Sequence, residues 1–299
     1  MQRIIAKHKK QNLKSIVRGA YDLQKLRIQT GLRIVCNFKS KLGLEPSAKE
    51  EELDKDGQEI LTALRIAYQK ITDGVVRITP KSIANKGQGI ISDFAEYSLV
   101  RGYIRLHEEE NALLRGPSCA LAKTLGDFPI WTEFLVDVRG IGPAMAGVLI
   151  SEIDIEKARY PSSLWAYAGL DVAKDGMGRS KKKEHLVDSS YTAKDGTIKM
   201  KRGISFNPFL KSKLIGVLAT SFVRAGDNPY REIYDNYKNR LENNPKHEEK
   251  SKGHRHNMAL RYMIKRFLVD LHKTWRALEG LSVSEEYSVA KLGIKHKVA

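Results

Sequence analysis

The chain has 299 residues, 41% of them hydrophobic and 29% charged, enough length for two domains and enough apolar content to bury a core. Lys and Arg number 52 against 35 Asp and Glu, a formal net charge of +17 that names a polyanion as the expected partner. Two cysteines, Cys36 and Cys119, exclude a disulfide framework and a four-thiolate zinc site. No run reaches the roughly 18 apolar residues of a membrane span, and Met1 to Lys14 is basic without the apolar centre of a signal peptide. The expectation is a cytoplasmic protein with no membrane partner.

Ile16, Leu23, Leu26, Ile34 and Val35 recur at helical spacing, which predicts one or two amphipathic helices over residues 11–38 with a basic outer face. The acidic stretch Glu45–Glu59 reverses the charge and marks a linker. Helices are expected over Lys55–Lys70 and Phe94–Glu110, separated by Thr79-Pro80 and by Gly87 and Gly89. The first 125 residues thus read as a basic helical N-terminal region.

Residues 126–155 carry the strongest local signal. Val138-Arg139-Gly140-Ile141-Gly142-Pro143-Ala144, followed by an apolar run to Glu152, reads as a helix-hairpin-helix. Gly140 and Gly142 permit the tight turn, and Pro143 suits the first helical position. Free amides over Gly140, Gly142, Pro143 and Ala144 would hold a backbone phosphate without reading bases. The alternative is a hairpin used for packing alone.

Tyr160 to Leu170 predicts a short helix ending at a glycine cap, with Trp165 and Tyr167 assigned to the core. Residues 171–205 lose periodicity and are rich in Lys174, Arg179, Lys181, Lys182, Lys183, Lys194, Lys199, Lys201 and Arg202. This is read as a long basic nucleic-acid loop, with Asp195-Gly196 as a hairpin turn within it. Asn207-Pro208 and Asn228-Pro229 open two further helices, and residues 242–253 are a polar excursion. The last helix has an apolar stripe of Ile264, Phe267, Leu268, Leu271, Trp275 and Leu278, stopped by Gly280. Its other face is basic through Arg261, Lys265, Arg266, Lys273 and Arg276, with His254, Arg255 and His256 ahead of it as phosphate contacts. The H-x-H pair lacks further ligands at metal-binding spacing, so no metal site is assigned.

The ordered set VRGIGPAMAGVLISEI, LWAYAGL, a basic excursion, KRGISFNPFLKSKL, NPYREIYDNYKNRL and HRHNMALRYMIKRFL resembles the transposase domain of the bridge-RNA-guided insertion-sequence transposases related to the Piv pilin-gene invertase. The resemblance spans about residues 128–278 and implies a mobile-element protein acting in DNA strand exchange as a homo-oligomer. It implies a transposase-like domain over residues 156–280, followed by a tail over 281–299. In that family a RuvC-like acidic domain precedes this region; here the first acid, Asp22, lies in a basic helical stretch, and no such domain is expected.

The family's nucleophilic serine follows the AGL segment. Laying Gly169-Leu170 on its counterpart places Met177 at that position and Ser180 three residues beyond, so Ser180 is the candidate nucleophile, ahead of Ser189 and Ser190. Its lysine neighbours suit a phosphodiester, but no base is evident in the sequence. Magnesium and a guide RNA stand as candidate cofactors, DNA and structured RNA as partners. The expectation is a mainly α protein with a helical N-terminal region, a helix-hairpin-helix and a helical domain with long basic loops. The competing function is a non-catalytic, transposase-derived protein that binds DNA or an RNA-DNA hybrid.

Overall fold

The computed structural model describes residues 2–41, 45–52, 54, 55, 58, 94–114 and 118–284. The helix expected over Lys55–Lys70, apart from Lys55 and Gln58, lies outside the described residues, as do Thr79-Pro80, Gly87, Gly89 and residues 285–299. The protein is mainly helical, and it divides into two compact units, residues 15–123 and residues 1–14 with 124–299. No helix among the described residues is long and apolar enough to cross a membrane.

In the smaller unit, α1 (Gln2–Lys41) contributes its residues from Ser15 onward and α2 (Phe94–Leu114) supplies a second long helix. Val17, Ala20, Thr30 and Ile34 of α1 are buried, as are Val100, Tyr103, His107, Glu110 and Leu114 of α2. The predicted stripe is therefore displaced: Leu26 is 45% exposed, because this turn is organised by a polar contact instead. Arg27 Nε donates to Glu110 Oε2 at 2.6 Å and Gln24 Nε2 to Oε1 at 2.8 Å, so both oxygens of a fully buried carboxylate are satisfied.

α3 (Ala120–Leu125) spans the division between the two units, and the larger unit continues with α4 (Pro129–Thr132), a 3₁₀ turn at Leu135–Asp137 and α5 (Pro143–Glu152). The first arm of the expected helix-hairpin-helix is thus two short turns, while the second is a full helix with Gly142 at its N-cap and Pro143 at its first position. After α6 (Pro161–Tyr167), Gly169 takes φ +65° and closes the helix, with Leu170 N–H donating to Trp165 O at 2.8 Å.

The excursion over 171–205 is more ordered than its composition suggests. Strands β1 (Val187–Thr192) and β2 (Ile198–Gly203) pair antiparallel, with Ser190 opposite Met200, around a turn that contains Asp195-Gly196. Asp195 accepts from the Thr197 amide at 3.0 Å and Gly196 has φ +81°, which closes the predicted turn. Nearly every ribbon residue is exposed, including Ile198 at 78% and Met200 at 67%.

Next come α7 (Pro208–Lys213), a π-helical turn at Leu214–Leu218, α8 (Ala219–Arg224), α9 (Pro229–Glu242) and α10 (Lys252–Leu278). Asn207 and Asn228 cap α7 and α9 through their side-chain oxygens, as Asn-Pro predicts. The core of this unit is α10, with Met263, Ile264, Phe267, Leu268, Leu271 and Trp275 buried; Leu278, expected in the stripe, is 40% exposed as the last residue of the helix. Phe222, Tyr230 and Phe267 form an aromatic triangle with centroid separations of 4.7–5.4 Å. Arg276, read as part of a cationic face, is buried and works inward: its guanidinium donates to the carbonyls of Ile155, Ala158 and Ser282.

Candidate nucleic-acid interface and serine site

The segment after α6 turns back on itself at once. Val172 bridges Gly178, Ala173 N–H donates to Met177 O at 2.8 Å, and Gly176 takes φ +77°. This small loop puts Asp175 at its tip and Arg179 and Ser180 at its exit. Arg179 is held there by Asp171, which accepts from Nε at 2.8 Å and from Nη2 at 2.7 Å. The 3₁₀ turn Lys183–His185 then returns His185 to the loop.

The result is a hydrogen-bonded chain of serine, histidine and aspartate. Ser180 Oγ lies 2.8 Å from His185 Nδ1, and His185 Nε2 lies 2.8 Å from Asp175 Oδ2. The tautomer follows from a third bond: the Ser180 backbone N–H donates to the same Nδ1 at 2.9 Å, and an amide can only donate. Nδ1 is therefore an acceptor with the ring proton on Nε2 facing Asp175, and Ser180 Oγ lies within hydrogen-bond distance of the Nδ1 lone pair that the amide already uses. His185 is buried, whereas Asp175 is exposed, and the hydrogen bond from His185, joined by one from the Met177 amide, holds the Asp175 carboxyl below its usual range. The sequence offered no partner for the Ser180 hydroxyl; the fold sets the His185 ring against it from five residues on.

Cations gather beside this chain. Lys211 of α7 donates through Nζ to the carbonyl of Arg179, the residue preceding the serine, and lies 4.7 Å from the centre of the Phe206 ring. Arg261 and Lys265 stand one turn apart on α10, with Lys265 Nζ 5.2 Å from the centre of the Trp165 ring. Burial lowers the pKa of Lys211 to about 8, aided by Arg261 and Arg179 and opposed by Asp171. Burial also lowers Arg261 and Lys265 from their ordinary values, with Arg261 adding to the effect on Lys265.

Comparison with protein-family models, with curated proteins and with solved structures finds no match.

Of the residues singled out by sequence, Arg179, Ser180, Arg261 and Lys265 meet at this site. Lys181, Lys182 and Lys183 follow it and are exposed, and Lys182 N–H donates to Ser180 Oγ at 3.3 Å. Lys201 and Arg202 lie on β2, Arg202 reaching back to Lys183 O at 3.4 Å.

The glycine hairpin is elsewhere and is divided in role. Gly140 takes φ +101°, a Cβ on it would press on the Phe222 ring at 3.0 Å, and its carbonyl accepts from Ser221 Oγ at 2.6 Å. That half is packing; Gly142, Pro143 and Ala144 keep partial or full exposure at the start of α5. At the start of α10, His256 Nδ1 pairs with Tyr234 OH at 2.6 Å and Arg255 donates to the carbonyls of His247 and Glu248, while His254 is exposed. The two former residues thus brace the α9–α10 connection. Tyr167, assigned to the core, is 41% exposed and accepts from Asn207 Nδ2 at 3.1 Å.

Sequence reasoning missed Asp175, His185 and Lys211. The signal for the first two was a serine flanked by Asp and His within eleven residues, which an irregular loop does not distinguish from chance. Among the described residues no three His, Cys, Asp or Glu side chains converge as a protein-held metal site.

Proposed function

We propose that the chain is a DNA recombinase of the transposase type, which binds DNA through its basic surface and attacks a backbone phosphodiester with Ser180. The observation that carries this reading is the 2.8 Å contact between Ser180 Oγ and Nδ1 of His185, backed by Asp175 on Nε2. His185 Nδ1 takes the hydroxyl proton, Oγ bonds to phosphorus, and the phosphorus–oxygen bond to the departing strand breaks. Asp175 stabilises the imidazolium, which then returns the proton to the leaving oxygen. Arg179, Lys211, Arg261 and Lys265 supply positive charge for the pentacovalent phosphorane. The net charge of +17 and the exposed lysines of β2 supply salt-dependent, weakly sequence-selective affinity. The ordered resemblance over residues 128–278 points to the same chemistry and to a homo-oligomer working on two DNA segments, with a guide RNA choosing them.

The test is incubation with duplex and branched DNA, with and without co-expressed RNA, followed by denaturing electrophoresis. A covalent protein–DNA adduct that disappears in Ser180→Ala and persists in Ser189→Ala supports the reading. Tight, salt-sensitive binding that Ser180→Ala leaves intact, with no adduct or nick from the native chain, replaces it with the second reading, a non-catalytic DNA or RNA-DNA binder. One observation favours that alternative: Nδ1 of His185 is shared with the Ser180 amide, a bond that would also serve simply to pin the loop.

A further inference from the structure

The four cations beside Ser180 have two carboxylates near them, Asp171 and Asp175, and both are already engaged, Asp175 by His185 and Asp171 by Arg179. Asp171 is bound through both oxygens to Arg179. Among the described residues, Lys211, Arg261 and Lys265 make no ion pair, and each is partly buried. The three come from two helices, α7 and α10, whose charged ends turn toward the loop that carries the serine. Aromatic rings support two of them from below, Phe206 under Lys211 and Trp165 under Lys265, and the Trp165 indole N–H is tied to Lys265 O at 3.2 Å. Arg261 is accommodated against the backbone at Gly178, where any Cβ would overlap its guanidinium.

Holding like charges together partly out of water is unfavourable, and Asp171, committed to Arg179, offsets Lys211 and Lys265 only in part, which leaves room for an anion from outside. The anion fits by chemistry as well as by charge: a planar guanidinium and two ammonium groups match the several oxygens of a phosphate. The position is set by Lys211, whose Nζ donates to the carbonyl of the peptide bond leading directly into Ser180.

We propose that Lys211, Arg261 and Lys265 form a phosphate subsite next to Ser180, and that Lys211 takes up a proton from solvent when a nucleic-acid phosphodiester enters. The proposal rests on the nucleic-acid reading above and adds to it the identity of the group that couples binding to pH. In the free protein Lys211 faces Arg261 of α10, Asp171 and Arg179 of the loop, and burial brings its pKa to about 8. A bound phosphate favours the charged form, so affinity is greatest below that value and is lost as pH rises through it. If the bound form stays protonated throughout, the loss between about pH 7 and about pH 9 is ~10-fold.

The experiment measures affinity of the full chain for a short labelled DNA duplex by fluorescence anisotropy across that pH range at constant salt. The native chain should lose about tenfold, and Lys211→Arg, whose charge does not titrate there, less than about twofold. Calorimetric titration of the native chain in two buffers of different ionisation enthalpy should show uptake of close to one proton at about pH 9, a readout that needs no variant to fold. Matching pH profiles for the native chain and Lys211→Arg, or no proton uptake, would overturn the inference while DNA binding itself stood. No binding by the native chain at low salt at any pH would overturn both this subsite and the nucleic-acid reading.

Discussion

Gly178 has no side chain where the Arg261 guanidinium lies, and this absence is what admits an arginine of α10 to the loop that bears Ser180. A Cβ at residue 178 would overlap only the far end of a flexible side chain, so the fold can absorb it by turning Arg261 away. Gly178→Ala is therefore expected to cost ~0.5 kcal/mol or less in stability, yet to weaken DNA binding about fivefold, or about 1 kcal/mol. Urea denaturation and anisotropy on the same preparation check the separation; a large stability loss with unchanged binding would contradict it.

Asn207 performs two tasks that a simple cap does not. Its Oδ1 accepts from the amides of Phe209 and Leu210, both at 3.1 Å, and its Nδ2 donates to the buried Glu152 at 2.7 Å. Asn207→Ala should cost about 1–2 kcal/mol. Asn207→Asp keeps a good N-cap but sets a second carboxylate against Glu152, so it should cost at least as much near neutral pH and recover below about pH 4, where carboxylates protonate. Denaturation midpoints of the two variants at both pH values decide the matter.

His272 is fully buried, and its Nε2 donates to Ala158 O at 2.8 Å. Burial, with Arg276 and Lys273 nearby, lowers its pKa from the ordinary histidine value against two backbone hydrogen bonds, so the native state holds it neutral where the unfolded chain would protonate it. The sign follows: the unfolded state binds more protons below about pH 6.5, and this contribution to stability is full above that value and shrinks as pH falls. His272→Gln should flatten the stability slope between about pH 7 and about pH 5, measured by urea titration.

Arg276 satisfies three carbonyls from inside the core. Arg276→Met preserves apolar volume but strands those acceptors, and should destabilise the larger unit by ~3 kcal/mol. If Arg276 belonged to the DNA-binding face instead, the variant would fold normally and bind DNA less well, an outcome that thermal denaturation and anisotropy tell apart.

In the smaller unit, Arg27 and Gln24 together satisfy Glu110. Arg27→Met leaves that carboxylate buried without its charge partner and should cost about 3–5 kcal/mol. Glu110→Gln with Arg27→Met should restore part of the loss, because a neutral amide demands less. Denaturant titration of both variants tests the cycle.

The mainly α class, the glycine hairpin, the Asn-Pro caps, the Asp195-Gly196 turn and most of the α10 stripe were legible in the sequence. Each is written in local chemistry: backbone freedom at Gly140, a side-chain oxygen two or three residues before an amide at Asn207 and Asn228, or a period of 3.6 from Ile264 to Trp275. Local rules also explain the errors. Charge on a helix suggests a wet face, yet Arg276 turns inward because Ile155, Ala158 and Ser282 present carbonyls to it. The basic excursion suggested a loop, since a two-stranded ribbon with both faces exposed has no hydrophobic alternation to announce it.

By itself the sequence determined a basic, helical protein suited to a polyanion, and it named Ser180, Arg179, Arg261 and Lys265 without connecting them. Only the tertiary structure decided that Ser180 Oγ lies against Nδ1 of His185, that Asp175 meets the far side of the ring, and that Lys211 stands behind the peptide bond leading into Ser180. The reason is physical. Helix periodicity and capping act over a few residues, whereas the site is assembled by a reversing loop and by two helices about 50 residues apart in sequence, whose meeting depends on tertiary packing rather than on any spacing along the chain.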